Sequence, residues 1–356
     1  MNDALRAVTV AGSLLNKENA PAYKAQIREE YETFRAKFLD RQETKEHISL
    51  NLARERKLKL DWDNFTPVVP QQLGVQVIEQ QDLDDLVPFI DWSPFFRSWD
   101  LHGHYPAILN DEIVGEQATD LFADAQVLLT EILDKKLLTA KAVFGLFPAN
   151  TVEEDDIEVY ASQDRKKTLG KFISLRQQLK KRPGKPNIAL ADFIAPKATG
   201  LADHIGAFCV TAGFGTAELA KQYEDNNDDY NAIMIKALAD RFAEAFAEYL
   251  HRKVRIKHWG YAAQESLDND ALIKEKYTGI RPAPGYPACP DHLEKNTIWE
   301  LLQVEERIGV SLTESLAMWP AASVSGYYFA HPEASYFGLG KITQDQLESY
   351  AQRKNI

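Results

Sequence analysis

The sequence is poor in cysteine, which limits the metal sites and cross-links that the fold can use. Cys209 and Cys289 are the only cysteines among 356 residues, too few for a zinc site built on thiolates. A reducing compartment would keep both as thiols. The chain also lacks an apolar run long enough to span a membrane, and residues 1–15 lack the basic start and apolar centre of a signal peptide. We therefore expect a cytoplasmic protein that is neither exported nor inserted into a membrane.

Positive charge is also in short supply. The chain has 41 Lys and Arg against 53 Asp and Glu, which leaves a net charge of −12. This argues against a nucleic-acid partner, because such binding depends on cations that neutralise phosphates. One segment departs from this balance, with Arg165, Lys166, Lys167, Lys171, Arg176, Lys180, Lys181, Arg182 and Lys185. It could steer an acidic partner, or it could be a solvated hairpin without one.

The spacing of apolar residues predicts helices and short strands in an irregular order. Helices are expected at 21–38, 116–138 and 216–250 with a break near 226–229, and a capping-box pattern, Thr343-x-x-Gln346, opens a last helix. Strands are expected at 142–147, 157–160, 205–211, 310–313 and 324–329. This order predicts an α+β fold with a twisted antiparallel sheet flanked by helices. A helical N-terminal part, with a charged connector at 51–63, should extend to about residue 70, with the α+β body after it.

One segment is too rich in proline for a helix or strand. Residues 281–292 read R-P-A-P-G-Y-P-A-C-P-D-H, so four proline rings restrict the backbone while Gly285 is free to adopt unusual angles. Its carbonyls lack obvious intrachain donors and could face a ligand. Arg281 could bind a carboxylate, Gly285 could let a flat group approach, and Tyr286 could offer a ring face. From the residues alone, a buried connector between two elements is the alternative.

Two other motifs do not support a site. Residues 100–105 read D-L-H-G-H-Y, which begins like the D-x-H-x-x-G cobalamin motif, but Tyr105 stands where the glycine should be. His102 is therefore not predicted to bind cobalt, and no third Cys or His lies near His102 and His104 to complete a metal site. The Gly213-Phe214-Gly215 segment lacks the third glycine of a dinucleotide fingerprint and predicts a turn before a helix.

Several blocks occur together in one order along the chain. They are 144–150 (FGLFPAN), 190–196 (LADFIAP), 244–248 (EAFAE), the proline-rich loop, 317–320 (AMWP) and Ser335-Tyr336-Phe337. Together they resemble the activation domain of cobalamin-dependent methionine synthase, over nearly the whole chain. The resemblance implies that 21–356 form this domain and that 1–20 are a linker from a preceding cobalamin-binding module.

The resemblance also implies the site residues for S-adenosylmethionine. They are Asp91 near the amino acid end, Glu244 and Glu275 near the sulfonium, Arg281, Ala283, Gly285 and Tyr286 in the ligand loop, and Tyr336 and Phe337 on the nucleoside side. Other roles stay open: Glu244 could be an exposed helical glutamate, and Asp91 could cap local backbone. Tyr336 and Phe337 are neighbours and would point in opposite directions on a strand, so one of them could pack in the core.

In function, the resemblance implies a reactivation module within the enzyme that makes methionine from homocysteine. The domain would present the methyl group of S-adenosylmethionine to cob(I)alamin after flavodoxin, or an equivalent donor, reduces the oxidised enzyme. Cobalamin and zinc would lie in other modules, Tyr286 would touch the docked corrin, and no side chain here would act as acid or base. The alternatives are a docking module that binds no small ligand and a free-standing adenosylmethionine-dependent methyltransferase.

Overall fold

The computed structural model of the chain describes residues 4–17, 20–43 and 46–356. Its helices are α1 (Ala4–Leu15), α2 (Ala20–Glu43), α3 (Leu50–Glu55), α4 (Ser93–Ser98), α5 (Gly115–Lys135), α6 (Thr216–Asp225), α7 (Asp229–Lys253), α8 (Asn269–Ile273), α9 (Glu294–Leu302), α10 (Val304–Ile308) and α11 (Gln344–Lys354). Its strands are β1 (Gly74–Gln81), β2 (Thr139–Val152), β3 (Asp156–Tyr160), β4 (Thr168–Ile173), β5 (Asp203–Phe214), β6 (Ser311–Leu312), β7 (Met318–Trp319) and β8 (Ser323–Tyr328).

The main sheet has six strands, and all of its pairings are antiparallel. Its order is β4-β3-β2-β5-β8, with β1 paired to the first half of β2 and β3 to the second half. Strands β6 and β7 form a separate antiparallel pair. The predicted α+β class with an antiparallel sheet is confirmed.

Side chains that alternate along the strands build a core on each face of the sheet. On β2, Phe144 and Leu146 join one hydrophobic cluster with residues of α5 and α7, while Val143 and Phe147 join a second cluster with residues of α9 and α10. This follows from the two-residue period of a strand. The sheet is therefore covered by helices on both faces, and α7 packs against β5 and β8.

Most predicted elements are confirmed, and three details are wrong. The break predicted near 226–229 is the junction between α6 and α7. The connector predicted at 51–63 contains most of α3. The elements that were not predicted are the strands β1, β4 and β7 and the helices α1, α4, α8, α9 and α10. The capping box is also wrong, because the Gln346 side chain accepts from the backbone N of Arg176 (2.7 Å) and donates to its carbonyl oxygen (2.8 Å). The N-cap residue Thr343 makes no side-chain cap hydrogen bond, and within the first turn Asp345 Oδ1 accepts from Gln346 N at 2.8 Å.

One member of the predicted basic segment lies inside the protein. Arg176 is fully buried and donates to Asp155 Oδ1 at 2.7 Å and to both carboxylate oxygens of Asp192 at 2.7 and 2.8 Å. Burial opposes its charge, but these two carboxylates raise the pKa of Arg176. Arg176 is therefore a core ion-pair residue and not part of a charged surface.

The division of the chain into modules stays a prediction. Residues 1–3 and 18–19 of the expected linker lie outside the described residues. Helices α1, α2 and α3 precede the first strand, which begins at Gly74. Within the described part of the chain, no helix combines the length and apolar character needed to cross a membrane.

Candidate functional site

A cavity of about 290 Å³ lies along one face of α7. Arg241, Glu244 and Glu248 recur at three- and four-residue spacing and so share one helix face. The other lining residues are Phe89, Asp91, Pro94, Ala245, Asn269, Leu272, Ile273, Glu275, Tyr277 and Arg281. The cavity thus joins four parts of the chain: the segment before α4, helix α7, helix α8 and the start of the proline-rich loop.

The cavity is acidic overall. Asp91, Glu244, Glu248 and Glu275 contribute four carboxylates against two guanidinium groups, so the formal charge of the lining is −2. Burial raises the pKa of Glu275 above 4.5, although Arg281 opposes this shift. Asp91 also has a local contact, because its Oδ1 accepts from the backbone N of Ser93 at 2.9 Å. An acidic lining of this kind suits a ligand that carries net positive charge.

Arg281 is held from one side and has an unused donor. Its Nη2 donates to Glu248 Oε2 at 3.2 Å, and the other oxygen of Glu248 accepts from Arg255 at 3.4 Å. Arg255 lies in the π-helical turn that extends α7 and makes a two-pronged ion pair with Glu265, at 2.7 and 2.8 Å. Burial disfavours the charge of Arg281, but Glu248 leads the groups that raise its pKa. The Nε of Arg281 is buried without a hydrogen-bond partner in the described structure, and the side chain as a whole is 16% exposed.

Two tyrosine hydroxyls hold the start of the ligand loop. Tyr336 Oη accepts from the backbone N of Arg281 at 2.9 Å and lies 3.1 Å from Tyr277 Oη. The Tyr277 ring lies between the His251 ring, at 4.9 Å, and the Arg255 guanidinium, at 4.2 Å. Burial raises the pKa of both hydroxyls. Both therefore stay protonated at neutral pH and act as hydrogen-bonding groups.

Several carbonyl oxygens of the proline-rich loop accept hydrogen bonds from within the chain, which the sequence did not suggest. The carbonyl oxygens of residues 282, 283, 286, 287 and 289 accept, in turn, from the backbone N–H groups of residues 327, 286, 289, 339 and 285. The prediction that these carbonyls lack intrachain donors was therefore wrong. Any ligand contact to these oxygens has to use a second lone pair.

Gly285 is required by the backbone and by a neighbour. Its φ is +95°, a conformation that other residues rarely adopt. A Cβ at this position would lie 2.4 Å from Cε1 of His292. This side of Gly285 therefore faces a histidine ring.

Comparison with known proteins identifies the family. Residues 82–355 match the family described as vitamin B12 dependent methionine synthase, activation domain. The chain belongs to this family. It is also similar to a solved structure described as the MetH reactivation domain bound to AdoHcy, with 52% sequence identity and a TM-score of 0.85. That match covers 87% of this chain and 94% of the other.

In this activation domain, four of the nine predicted site residues line the cavity: Asp91, Glu244, Glu275 and Arg281. Three others lie close to that group. Tyr336 bonds to Arg281, Ala283 is buried two residues beyond Arg281, and Tyr286 is 57% exposed in the loop. Burial raises the pKa of Tyr286, and the charge of Glu244 adds to this shift. The structure thus brings together residues that are separated by up to 245 positions in the sequence.

Phe337 and Gly285 do not line the cavity. Phe337 packs against the second hydrophobic cluster, with its ring centroid 6.4 Å from that of Phe193. Of the adjacent pair, Tyr336 thus faces the ligand loop and Phe337 faces the core. Ligand contact by any of the nine residues stays a prediction.

The sequence did not single out Glu248, Tyr277 or Asn269, although each lines the cavity. The position of Glu248 at the cavity could have been predicted, because it follows Glu244 by one helical turn within the same 244–248 block. Asn269 donates to Ile90 O at 3.3 Å, but its Oδ1 is buried without a partner in the described structure. Two residues of the cavity thus have a polar atom without a partner: Arg281 has a donor, Nε, and Asn269 has an acceptor, Oδ1.

The remaining motifs lie outside the site. Among the residues that the structure describes, no group of three His, Cys, Asp or Glu side chains could hold a metal ion. Gly213 and Phe214 are the last residues of β5, so the turn predicted over 213–215 is confined to Gly215, which has a φ of +95° just before α6.

Proposed function

We propose that the cavity binds the amino acid and sulfonium end of S-adenosylmethionine. The observation that carries this proposal is the acidic lining, which contains one arginine with an unused buried donor. This end of the ligand has two cations, the ammonium and the sulfonium, and one carboxylate. The guanidinium of Arg281 is suited to the carboxylate, while Asp91, Glu244 and Glu275 are suited to the cations. The AdoHcy in the related reactivation domain supports the same ligand class.

The size of the cavity suggests where the rest of the ligand lies. A volume of about 290 Å³ is at the lower end of the range for small-molecule sites. We therefore place the nucleoside outside the cavity, along Tyr286 and the segment that contains Tyr336. The exposed ring of Tyr286 offers a face for a flat group, and the rigid loop loses little entropy on binding.

The chain's contribution to methyl transfer is position and electrostatics. Cobalamin, held by another module of methionine synthase, supplies the nucleophile that accepts the methyl group. In this chain, Arg281 and the carboxylates fix the amino acid end, and the loop leaves the methyl group open to the docking module. The bond that breaks leaves its electron pair on sulfur, so no side chain needs to act as acid or base. Flavodoxin, or an equivalent donor, would supply the electron that precedes this step.

Calorimetric titration of the chain with S-adenosylmethionine tests the proposal. We expect one site, and we expect Arg281→Ala to weaken binding by about 1.5 to 3 kcal/mol, the usual value of a charge-assisted hydrogen bond. Arg307→Ala is the matched control, because Arg307 is an exposed helical arginine whose side chain contacts Gln303. Equal affinity in the two variants would remove Arg281 from the site.

The same titration separates the alternatives. If the chain gives no binding heat, and unlabelled S-adenosylmethionine does not compete with the labelled compound, a docking module that binds no small ligand would be favoured. Methyl transfer by the chain without added cobalamin module would favour a free-standing methyltransferase. We expect binding without turnover.

A further inference from the structure

A second concave surface, distant in sequence from the ligand loop, is lined by cations. It has a volume of about 660 Å³ and lies between residues 56–59 and residues 180–186. We call it the basic groove. Its charged lining residues are Arg56, Lys57, Lys59, Lys180, Lys181, Arg182 and Lys185. Seven cations and no carboxylate line this groove in a chain whose net charge is −12.

Most of these charges are not neutralised. Lys57 pairs with Glu154 at 2.7 Å, and Lys180 pairs with Glu46. The other cations of the groove, Arg56, Lys59, Lys181, Arg182 and Lys185, form no ion pair within the described residues. Burial also lowers the pKa of Lys181, as expected where no carboxylate compensates for lost solvent. The groove therefore presents a concentrated positive potential.

The fold holds this loop in place although its charges repel one another. Asn187 N donates to Arg56 O at 2.8 Å, and Asn187 Nδ2 donates to the carbonyls of Gln177 and Leu179 at 2.8 and 3.0 Å. Lys180 N donates to Glu46 O at 2.8 Å. The buried Arg176 lies four residues before Lys180 and anchors the same segment. A loop built in this way keeps like charges together, which lowers stability unless a partner compensates.

The groove is linked to the region of the ligand loop. Gln177 Oε1 accepts from the Lys181 ammonium, while Gln177 Nε2 donates to Gly338 O at 2.6 Å. Gly338 follows Tyr336 by two residues, and Tyr336 holds Arg281. A series of hydrogen bonds therefore connects the groove with the segment that contains Tyr336.

We propose that the basic groove is a docking surface for the acidic face of a protein. Arg56, Lys59, Arg182 and Lys185 are exposed lysine and arginine side chains of its lining. They suit a broad negative surface better than a small anion, which requires donors converging on one point. The acidic remainder of the chain disfavours a long nucleic acid. This proposal is independent of whether the cavity on α7 binds S-adenosylmethionine.

Two triple variants with the same net charge test the groove. Lys59→Gln, Arg182→Gln and Lys185→Gln together remove three of these exposed cations. Lys135→Gln, Lys221→Gln and Lys274→Gln remove three cations that are 64%, 72% and 64% exposed and pair with carboxylates on their own helices. The probe is a poly-L-glutamate peptide of about 20 residues, titrated at low and high salt. We expect the groove variant to lose about tenfold in affinity at low salt, and the control variant to match the wild type within about twofold.

Other outcomes overturn the proposal. Equal losses in both triple variants would show attraction to net charge alone. Pyrophosphate that binds one to one, more tightly than the peptide and only with an intact groove, would establish a small-anion site. A short DNA duplex with that behaviour would establish a nucleic-acid site. In thermal unfolding, the groove variant should be at least as stable as the wild type, because repulsion among the cations of the groove is reduced. If the triple variant fails to fold, the peptide affinity of Lys185→Gln alone is compared with that of the wild type.

Discussion

The acidic lining of the cavity leads to a prediction about the relative affinities of the site for S-adenosylmethionine and S-adenosylhomocysteine. S-adenosylmethionine has a cationic sulfur, whereas S-adenosylhomocysteine has a neutral one and is otherwise the same molecule at this end. Glu244 is half-buried on the cavity face of α7. The Glu244→Gln substitution keeps its shape and removes its charge. If Glu244 lies near the sulfonium, this substitution should weaken binding of the methyl donor and affect the demethylated product far less.

The expected magnitude follows from Coulomb's law. Two unit charges about 6 Å apart interact by about 2.8 kcal/mol at an effective dielectric constant of about 20. Because Glu244 is partly exposed, we take about half of this, or about 1.4 kcal/mol, which corresponds to about tenfold in affinity. Both ligands have the ammonium group, so its contribution cancels in the ratio of the two affinities. Glu275 is more exposed than Glu244, and Glu275→Gln should change the ratio less.

Calorimetry with both ligands on the wild type and the Glu244→Gln variant measures this ratio. Glu300→Gln is a suitable control, because Glu300 is an exposed glutamate on α9 and does not line the cavity. We expect the preference for the methyl donor to fall about tenfold in Glu244→Gln and to stay unchanged in the control. Equal weakening of both ligands would place Glu244 at the ammonium group instead. An unchanged ratio with unchanged affinities would refute its placement in the site.

Three further predictions concern residues around the cavity and in the core. Tyr277→Phe removes the hydroxyl that contacts Tyr336 but keeps the ring, so affinity for S-adenosylmethionine should fall by about 1 kcal/mol in calorimetry. Arg176→Ala leaves two buried carboxylates without their cation and should lower the free energy of unfolding in urea by about 3 to 5 kcal/mol. His251 is fully buried, and burial, with the charges of two nearby arginines, holds its pKa well below 6.5. As pH falls below 6.5, this histidine is protonated in the unfolded chain but not in the folded protein. The free energy of unfolding of the wild type should therefore fall by about 2 kcal/mol between pH 7 and pH 5 because of this group. The His251→Gln variant should lack this decrease.

Each of these predictions has a control. For Tyr277→Phe it is Tyr230→Phe, which loses a 2.8 Å bond to Asp124 away from the cavity; equal effects of the two changes on ligand affinity would contradict the role of Tyr277. For Arg176→Ala it is Arg307→Ala at the surface, and a similar stability in both would mean that the buried pair contributes little. For His251, the pH dependence of unfolding decides: equal slopes in wild type and variant would show that another group controls acid sensitivity.

The parts of the site that are close in sequence could be predicted, and the parts that are distant could not. The proline-rich run indicated a rigid loop because proline and glycine act on the local backbone. The spacing of Glu244 and Glu248 indicated one helix face for a similar reason. By contrast, Tyr277 and Tyr336 lie 59 residues apart, and no local pattern predicts that their hydroxyls meet. The hydrogen-bond donors to the carbonyls of residues 282 and 287 could not be predicted either, because they are residues 327 and 339, which are distant in sequence.

Arg176 shows a different limit of sequence reasoning. It stands in a segment rich in lysine and arginine, so its charge suggested a surface position. Its carboxylate partners lie 21 and 16 residues away and are brought to it only by the pairing of neighbouring segments. A buried arginine is stable when such partners converge on it. Composition indicates how many charges a segment has, but tertiary contacts decide which of them are solvated.

The charge of the cavity links binding to release in the proposed function. The lining has a formal charge of −2, and S-adenosylmethionine at neutral pH has a net charge of +1 at this end. Methyl transfer removes the sulfonium charge and leaves a product that is neutral there. If the ligand binds as proposed, the carboxylates that attract the donor should hold the product less tightly, while Arg281 should contact the carboxylate that both ligands have. A site that fixes the amino acid end through arginine and senses the sulfur through glutamates can position the donor firmly and still let the product leave.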